Sequence, residues 1–198
     1  MACLSRSNEQ FIQAATNEAY KSQVLMRHGC VAVVNGTIMA SGHNNYRTHS
    51  KDKFINNTCT CHAEIATLRE LYRNSYPNSR GKYKDTIKCQ NPNIANIFKK
   101  TSLYIVRCNT KGEYQDSAPC QDCFRVIKEL NIKKLIYSCN NNTFKICKPI
   151  DYIPIQCSQG RKYLNAINAI NAINAINAIN AINQYNTNKK SKKSKKLK

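Results

Sequence analysis

The sequence lacks any run of about 18 apolar residues, and this absence excludes a membrane-spanning helix. The first ten residues lack the apolar core of a secretory signal, so we expect a cytoplasmic or nuclear protein that is not secreted. The 11 cysteines are odd in number and irregularly spaced, which argues against a disulfide framework, and we expect them to be reduced.

Acidic residues are also few, with 11 Asp and Glu against 31 Lys and Arg in 198 residues, a formal charge of +20. The last ten residues contain seven of the lysines, and without them the chain has 24 basic and 11 acidic residues, or +13. A basic chain suggests a nucleic-acid partner. However, Asn, Lys and Ile are all abundant and all have AT-rich codons, so base composition offers a second explanation of the charge. The sequence leaves both explanations open.

Three zones follow one another along the chain. Residues 1–163 have the composition of one globular domain, with a predicted insertion at 74–100. Residues 165–183 repeat Asn-Ala-Ile six times and end with Asn183. On an α-helix each three-residue step leaves the next Ile about 60° behind, so the repeat forms no apolar stripe. We therefore expect 164–198, with the lysine-rich end, to be an appended and weakly ordered segment.

The globular zone alternates between helix and strand patterns. Ser7 with Gln10 resembles a capping box that opens a helix extending to about Met26, with Gly29 as its stop. Asn35-Gly36 between two short apolar runs predicts a β-hairpin. Further helices are predicted at 62–72 and 120–130, a helical turn at 94–98, and strands at 101–106, 134–138 and 143–150. This order fits a three-layer α/β sandwich in which the last strand–helix–strand unit is parallel.

Two motifs carry the chemistry: Cys61-His62-Ala63-Glu64 and, further on, Pro119-Cys120-Gln121-Asp122-Cys123. Cys120 and Cys123 lie at i and i+3, so both sulfurs face one side of a helical turn. With His62 they offer three protein ligands to zinc and leave a fourth position for water, as in catalytic sites. Glu64 lies two residues beyond a ligand, where it can move protons without binding the metal. A structural zinc site closed by Cys59, Cys61, Cys108 or Cys139 is the alternative.

His-x-Glu followed by Pro-Cys-x-x-Cys is the known signature of zinc-dependent nucleobase deaminases. On these motifs the region from about Arg27 to Ser138 resembles the cytidine and deoxycytidylate deaminase-like superfamily. The resemblance implies a mixed sheet of about five strands between helices, zinc held by His62, Cys120 and Cys123, and Glu64 as the proton shuttle.

The resemblance also suggests the substrate contacts. Gly42-His43-Asn44 is similar to the family's Gly-aromatic-Asn motif, which makes Asn44 a candidate for binding the nucleoside. The backbone of Ala63 and Ser117 would hold the edge of the base. A turn residue is the alternative role for Asn44.

Substrate class is less sharply indicated. The sequence Cys61-His62-Ala63-Glu64 resembles the deoxycytidylate group, whereas Ala118 replaces the aromatic residue common there before Pro-Cys. We therefore predict a deaminase of dCMP or CMP. The alternatives are a polynucleotide base deaminase, which binds RNA or DNA through the basic surface and tail, and an inactive zinc-binding protein. A homo-oligomer is compatible with the resemblance.

Overall fold

The computed structural model describes residues 4–56, 58–77 and 92–195, and within them helices and strands alternate. The helices are α1 (Arg6–Tyr20), α2 (Ala63–Ser75), α3 (Pro92–Lys100), α4 (Gln121–Glu129) and α5 (Gln159–Lys195). The strands are β1 (Arg27–Val34), β2 (Thr37–His43), β3 (Thr101–Cys108), β4 (Tyr114–Gln115), β5 (Lys134–Ser138) and β6 (Phe144–Cys147), and a 3₁₀ turn covers Pro149–Asp151.

The strands form one mixed sheet in the order β2-β1-β3-β5-β6, with the short β4 paired to β3. β3 and β5 are parallel, and α4 connects them, as predicted. The other pairs are antiparallel. The predicted three-layer α/β fold with a mixed sheet is therefore confirmed.

Each face of the sheet has its own apolar core, because side chains along a strand alternate between faces. On one face α1 covers Val31, Val33, Tyr104 and Val106. On the other face a larger cluster joins the sheet to α2, α3 and α4; it includes Cys30, Ala32, Leu103, Ile105, Leu68, Phe98 and Ile127. We call this second side the catalytic face, since both sequence motifs lie on it.

The predicted hairpin forms as the sequence indicates. Asn35 has φ 50° and Gly36 has φ 81°, and β1 pairs with β2 on either side of them. Two successive residues of positive φ match the twist of an antiparallel pair, which explains the Asn-Gly turn.

The prediction for the first helix is wrong at both ends. α1 begins at Arg6 with Ser5 as its N-cap, where the Ser5 hydroxyl accepts a bond from the Asn8 backbone N–H at 3.4 Å, so Ser7 lies inside the helix. The helix ends at Tyr20, not near Met26, and Gly29 belongs to β1. Ser22 breaks the helical path, since its hydroxyl donates to the carbonyl of Asn44 and accepts from the Val24 N–H.

The predicted insertion is described only in part. Residues 92–100 form α3, a full helix where the sequence suggested a turn, and its Ile94 and Phe98 are buried on the catalytic face. The rest of the expected loop at 78–91 lies outside the described residues. Strand β4 was not predicted, because two residues carry no detectable periodicity.

The chain forms two units, Met1–Ser158 and Gln159–Lys198. The second unit contains α5, which includes the whole Asn-Ala-Ile repeat. The Ile side chains at 170, 173, 176, 179 and 182 are each 56–59% exposed, in agreement with the absence of an apolar stripe. No helix in the described part of the chain has the length and hydropathy needed to cross a bilayer.

Candidate metal centre and active site

His62 is held at the start of α2 by the segment that precedes it. It is the N-cap residue of the helix, with extended backbone angles. The preceding Cys61 pairs with Asn45 through two backbone hydrogen bonds of 2.8 and 3.0 Å, which anchors this loop beside the end of β2. His62 therefore lies just before the helix, close to the end of β2.

Cys120 and Cys123 lie at the start of α4, on the same edge of the sheet. Cys120 is the N-cap and Cys123 lies in the first turn, so the positive end of the helix dipole favours their thiolate forms. The Nδ1 atom of His62 lies 3.5 Å from Cys120 Sγ and 3.3 Å from Cys123 Sγ. The three donor atoms are all within 4.8 Å of one another.

These donors fit a zinc ion. Tetrahedral bonds of the usual Zn–S and Zn–N lengths place nitrogen and sulfur about 3.6 Å apart, close to the two observed distances. Two thiolates and an imidazole are also ligand types that zinc prefers. The predicted cofactor is therefore supported by both the spacing and the chemistry of the donors.

The same three groups shift one another's pKa values. Hydrogen bonding with Cys123, followed by that with His62, lowers the pKa of Cys120 to about 4. Burial opposes charge on His62, but its bond to Cys120 and nearby negative charges raise its pKa to about 9. The neighbouring Cys120 sulfur and burial raise the pKa of Cys123. The low pKa of Cys120 favours a thiolate, which attracts a cation, and zinc binding would release the proton of His62 because a ligating imidazole is neutral.

Among the residues that the structure describes, no fourth cysteine completes the group. In residues 4–56, 58–77 and 92–195, the only cluster of three or more metal-ligating side chains is His62, Cys120 and Cys123. Cys59, Cys61, Cys108 and Cys139 are not members of it. Three protein ligands are the pattern of a catalytic zinc site, whereas a structural site has four.

Glu64 is buried beside these ligands. It lies in the first turn of α2 with 4% of its surface exposed, and it interacts with the side chain of Cys123. Burial raises the pKa of its carboxyl group. A carboxyl group in this position can take up and release a proton without being a metal ligand.

The three substrate candidates lie around the same edge. Ala63 is the first residue of α2, and the first N–H groups of a helix have no partner within the helix. The Ser117 N–H donates to the carbonyl of Ser138 at 2.9 Å, which leaves the Ser117 carbonyl as its backbone group for a ligand. Both residues are buried. Their contacts with substrate stay predictions.

Asn44 has a second use that the sequence did not indicate. Its amide Oδ1 accepts from the His28 N–H at 2.8 Å, and its Nδ2 donates to the Met26 carbonyl at 2.7 Å. The buried amide thus holds the start of β1 in place. One Nδ2 proton and one Oδ1 lone pair are left for any ligand.

Comparison with known proteins agrees with this geometry. Residues 5–139, more than half of the chain, match the family described as cytidine and deoxycytidylate deaminase zinc-binding region. The chain belongs to this family. No curated protein matches its sequence.

Solved structures similar to this chain share little sequence with it. The cytidine deaminase of Burkholderia pseudomallei is 15% identical with a TM-score of 0.50, over 78% of this chain and 100% of that one. The dCMP deaminase of cyanophage S-TIM5 is 20% identical with a TM-score of 0.44, over 71% and 88%. The guanine deaminase of Bacillus subtilis is 16% identical with a TM-score of 0.39, over 85% and 95%. The Burkholderia structure supports the fold.

The unit Met1–Ser158, which we call the deaminase domain, also has a supporting segment that sequence reasoning missed. Residues 149–156, which we call the strap, lie against the loop that carries Cys120. The Tyr152 hydroxyl donates to the Pro119 carbonyl at 2.5 Å, and the Gln121 N–H donates to the Gln156 carbonyl at 2.9 Å. The Tyr152 ring packs on Phe124 with centroids 4.9 Å apart. Nothing in the composition of the strap marks it as part of the site.

Proposed function

We propose that this chain is a zinc-dependent hydrolase that deaminates the cytosine base of a nucleotide, converting dCMP or CMP and water to dUMP or UMP and ammonia. The observation that carries the proposal is the placement of buried Glu64 beside a three-ligand His62, Cys120 and Cys123 group. Zinc binding alone does not require that carboxylate. The deoxycytidylate-like Cys61-His62-Ala63-Glu64 sequence favours a nucleotide over a free base.

The residues divide the chemistry between them. Zinc, when bound, supplies a Lewis acid that makes water nucleophilic near neutral pH. Glu64 takes a proton from the attacking water and passes it to the ring nitrogen of the base. The hydroxyl group now on C4 gives up the second proton of the water, which goes to the exocyclic amine, so that a C4–O bond replaces the C4–N bond and ammonia leaves. The Ala63 N–H and the Ser117 carbonyl hold the edge of the base during these transfers.

The decisive variant is Glu64→Gln, which keeps the shape of the side chain but cannot accept the proton. We expect kcat/KM for dCMP to fall by about 10²- to 10⁴-fold, with the zinc content of the purified protein unchanged. Glu70→Gln is the matched control, since Glu70 lies on the same helix and its side chain is 43% exposed. Equal loss in the two variants would contradict a catalytic role for Glu64.

A substrate panel separates the proposal from its alternatives. Zinc-loaded protein would be assayed on dCMP, CMP, cytidine, guanine, single-stranded RNA and single-stranded DNA. Turnover of the polynucleotides in preference to dCMP and CMP would favour a polynucleotide deaminase. No turnover of any of them would support the inactive zinc-binding alternative.

A further inference from the structure

Two basic side chains lie together on the catalytic face, at the edge that carries the metal ligands. His28 of β1 is paired directly with Arg107 of β3. His28 is two residues before Cys30, and Arg107 is two residues after Ile105, and both of those residues are buried on the catalytic face. Because side chains alternate along a strand, His28 and Arg107 project from this same face.

The pair is close to the candidate active site. The His28 ring lies near enough to His62, Cys120 and Arg107 for their charges to act on its pKa, although burial is the larger influence. The Arg107 backbone N–H donates to the Ser138 hydroxyl at 3.1 Å, and that hydroxyl bonds to the Ser117 hydroxyl at 2.9 Å. Arg107 is thus tied to the loop that leads into Cys120.

Among the described residues, the Arg107 guanidinium has no carboxylate partner. It takes part in none of the salt bridges of the described residues. Its side-chain hydrogen bond runs from Nη2 to the Met26 thioether sulfur at 2.8 Å, and a thioether is a weak acceptor. A guanidinium whose donors meet only a weak acceptor among the described residues is well suited to a phosphate, which it can bind through two parallel hydrogen bonds.

His28 does not supply a second cation here. Its Nδ1 bonds to the Met26 carbonyl at 3.0 Å, which fixes Nδ1 as the protonated nitrogen. Burial lowers the pKa of His28 to about 4, so the ring is neutral. It is therefore an uncharged group near both the metal ligands and the Arg107 guanidinium.

We propose that Arg107 binds the phosphate of a nucleoside monophosphate whose base lies at the metal centre, and thereby selects nucleotides over nucleosides. This inference rests on the proposed function and specifies its substrate class. Sequence reasoning did not find Arg107, because it lies 13 positions before Cys120 and its pairing with His28 depends on the sheet.

The test is the ratio of kcat/KM for dCMP to kcat/KM for deoxycytidine. Arg107→Gln should lower this ratio by about 10- to 100-fold, the range expected for hydrogen bonds to a charged group. Arg107→Lys should give an intermediate ratio, because it keeps the charge but loses the planar fork. Arg27→Gln is the matched control. It removes the same charge from β1 at the residue next to His28, and this residue faces the opposite side of the sheet. It should leave the ratio as in the wild type.

Binding provides a readout that does not need turnover. Calorimetric titration of dUMP and of deoxyuridine into the Glu64→Gln protein should show tighter binding of dUMP, and the added Arg107→Gln change should remove that difference. An unchanged ratio in both Arg107 variants would overturn the inference. The inference would also be overturned if the wild-type protein preferred a single-stranded oligonucleotide to dCMP and Arg107→Gln lowered kcat/KM equally for these two substrates. Absence of turnover in the wild type would instead contradict the proposed function and leave the binding comparison to decide the role of Arg107.

Discussion

Gly29 shows how much one residue can decide about the packing of a layer. A Cβ atom at this position would lie 2.0 Å from the Ala15 carbonyl oxygen and 2.3 Å from the Ala19 backbone nitrogen. Both neighbours are backbone atoms of α1, which cannot move aside by a rotamer change. The absence of a side chain at Gly29 is therefore what allows α1 to lie directly on β1.

We predict that Gly29→Ala destabilises the domain by about 3 kcal/mol, the upper part of the range for overpacking. The free energy of unfolding would be measured by urea denaturation. Gly36→Ala is the control, since its Cβ would meet no atom within 4 Å and the change costs only the positive φ of 81°, about 1 kcal/mol. Equal destabilisation by the two substitutions would show that close packing of α1 is not the cause.

At the scale of elements, the active site depends on two helix starts and on the strap that supports one of them. The strap is bonded to residues on both sides of Cys120, through Tyr152 to Pro119 and through Gln156 to the Gln121 N–H. Gln156 also donates to the Asp116 carboxylate at 3.0 Å. These contacts restrain the loop that positions one metal ligand, so the strap belongs to the support of the site.

We predict that Tyr152→Phe weakens zinc binding by about tenfold, the lower part of the range for groups that orient ligands. The ring would still pack on Phe124, but the Pro119 carbonyl would lose its donor. Zinc affinity would be measured by competition with a chelator, and Tyr20→Phe, which removes a half-exposed phenol on α1, is the control. Zinc affinity equal to that of the wild type would contradict a supporting role for the strap.

Several elements were predictable because their signals are local. Asn35-Gly36 indicated the hairpin, and the strand at 134–138 has the predicted bounds. The errors come from residues whose role is set by distant partners. Ser7 is of a residue type that favours an N-cap, but Ser5 is the N-cap in the structure. Gly29 resembles a helix stop, yet it is required by the packing of α1.

At the scale of the whole molecule, the formal charge of +20 is unevenly placed along the chain, with seven lysines in the last ten residues. The candidate site and its supporting strap lie between His28 and Gln156, all in the unit Met1–Ser158. We therefore propose that the deaminase domain is separable from the repeat and the lysine-rich end.

We predict that a chain ending at Ser158 keeps the zinc site and changes its free energy of unfolding by less than about 1 kcal/mol. The exposed Ile side chains of α5 bury little apolar area, so their removal costs little stability. Thermal unfolding and zinc content would be compared with those of the full chain. A larger loss of stability would contradict the proposal that the two units are separable.

The sequence by itself identified the family of this protein and its candidate zinc ligands. The candidate metal ligands and the candidate proton-transfer carboxylate lie in two short motifs, where residue type and spacing of two or three positions already predict their roles. The tertiary structure decided which other groups surround them. Arg107 and His28 are neighbours because β3 pairs with β1. Tyr152 forms a hydrogen bond with Pro119, 33 positions earlier in the chain, and Asn44 forms one with the His28 N–H of β1. Contacts between residues so far apart depend on the whole arrangement of layers, and no local pattern encodes them.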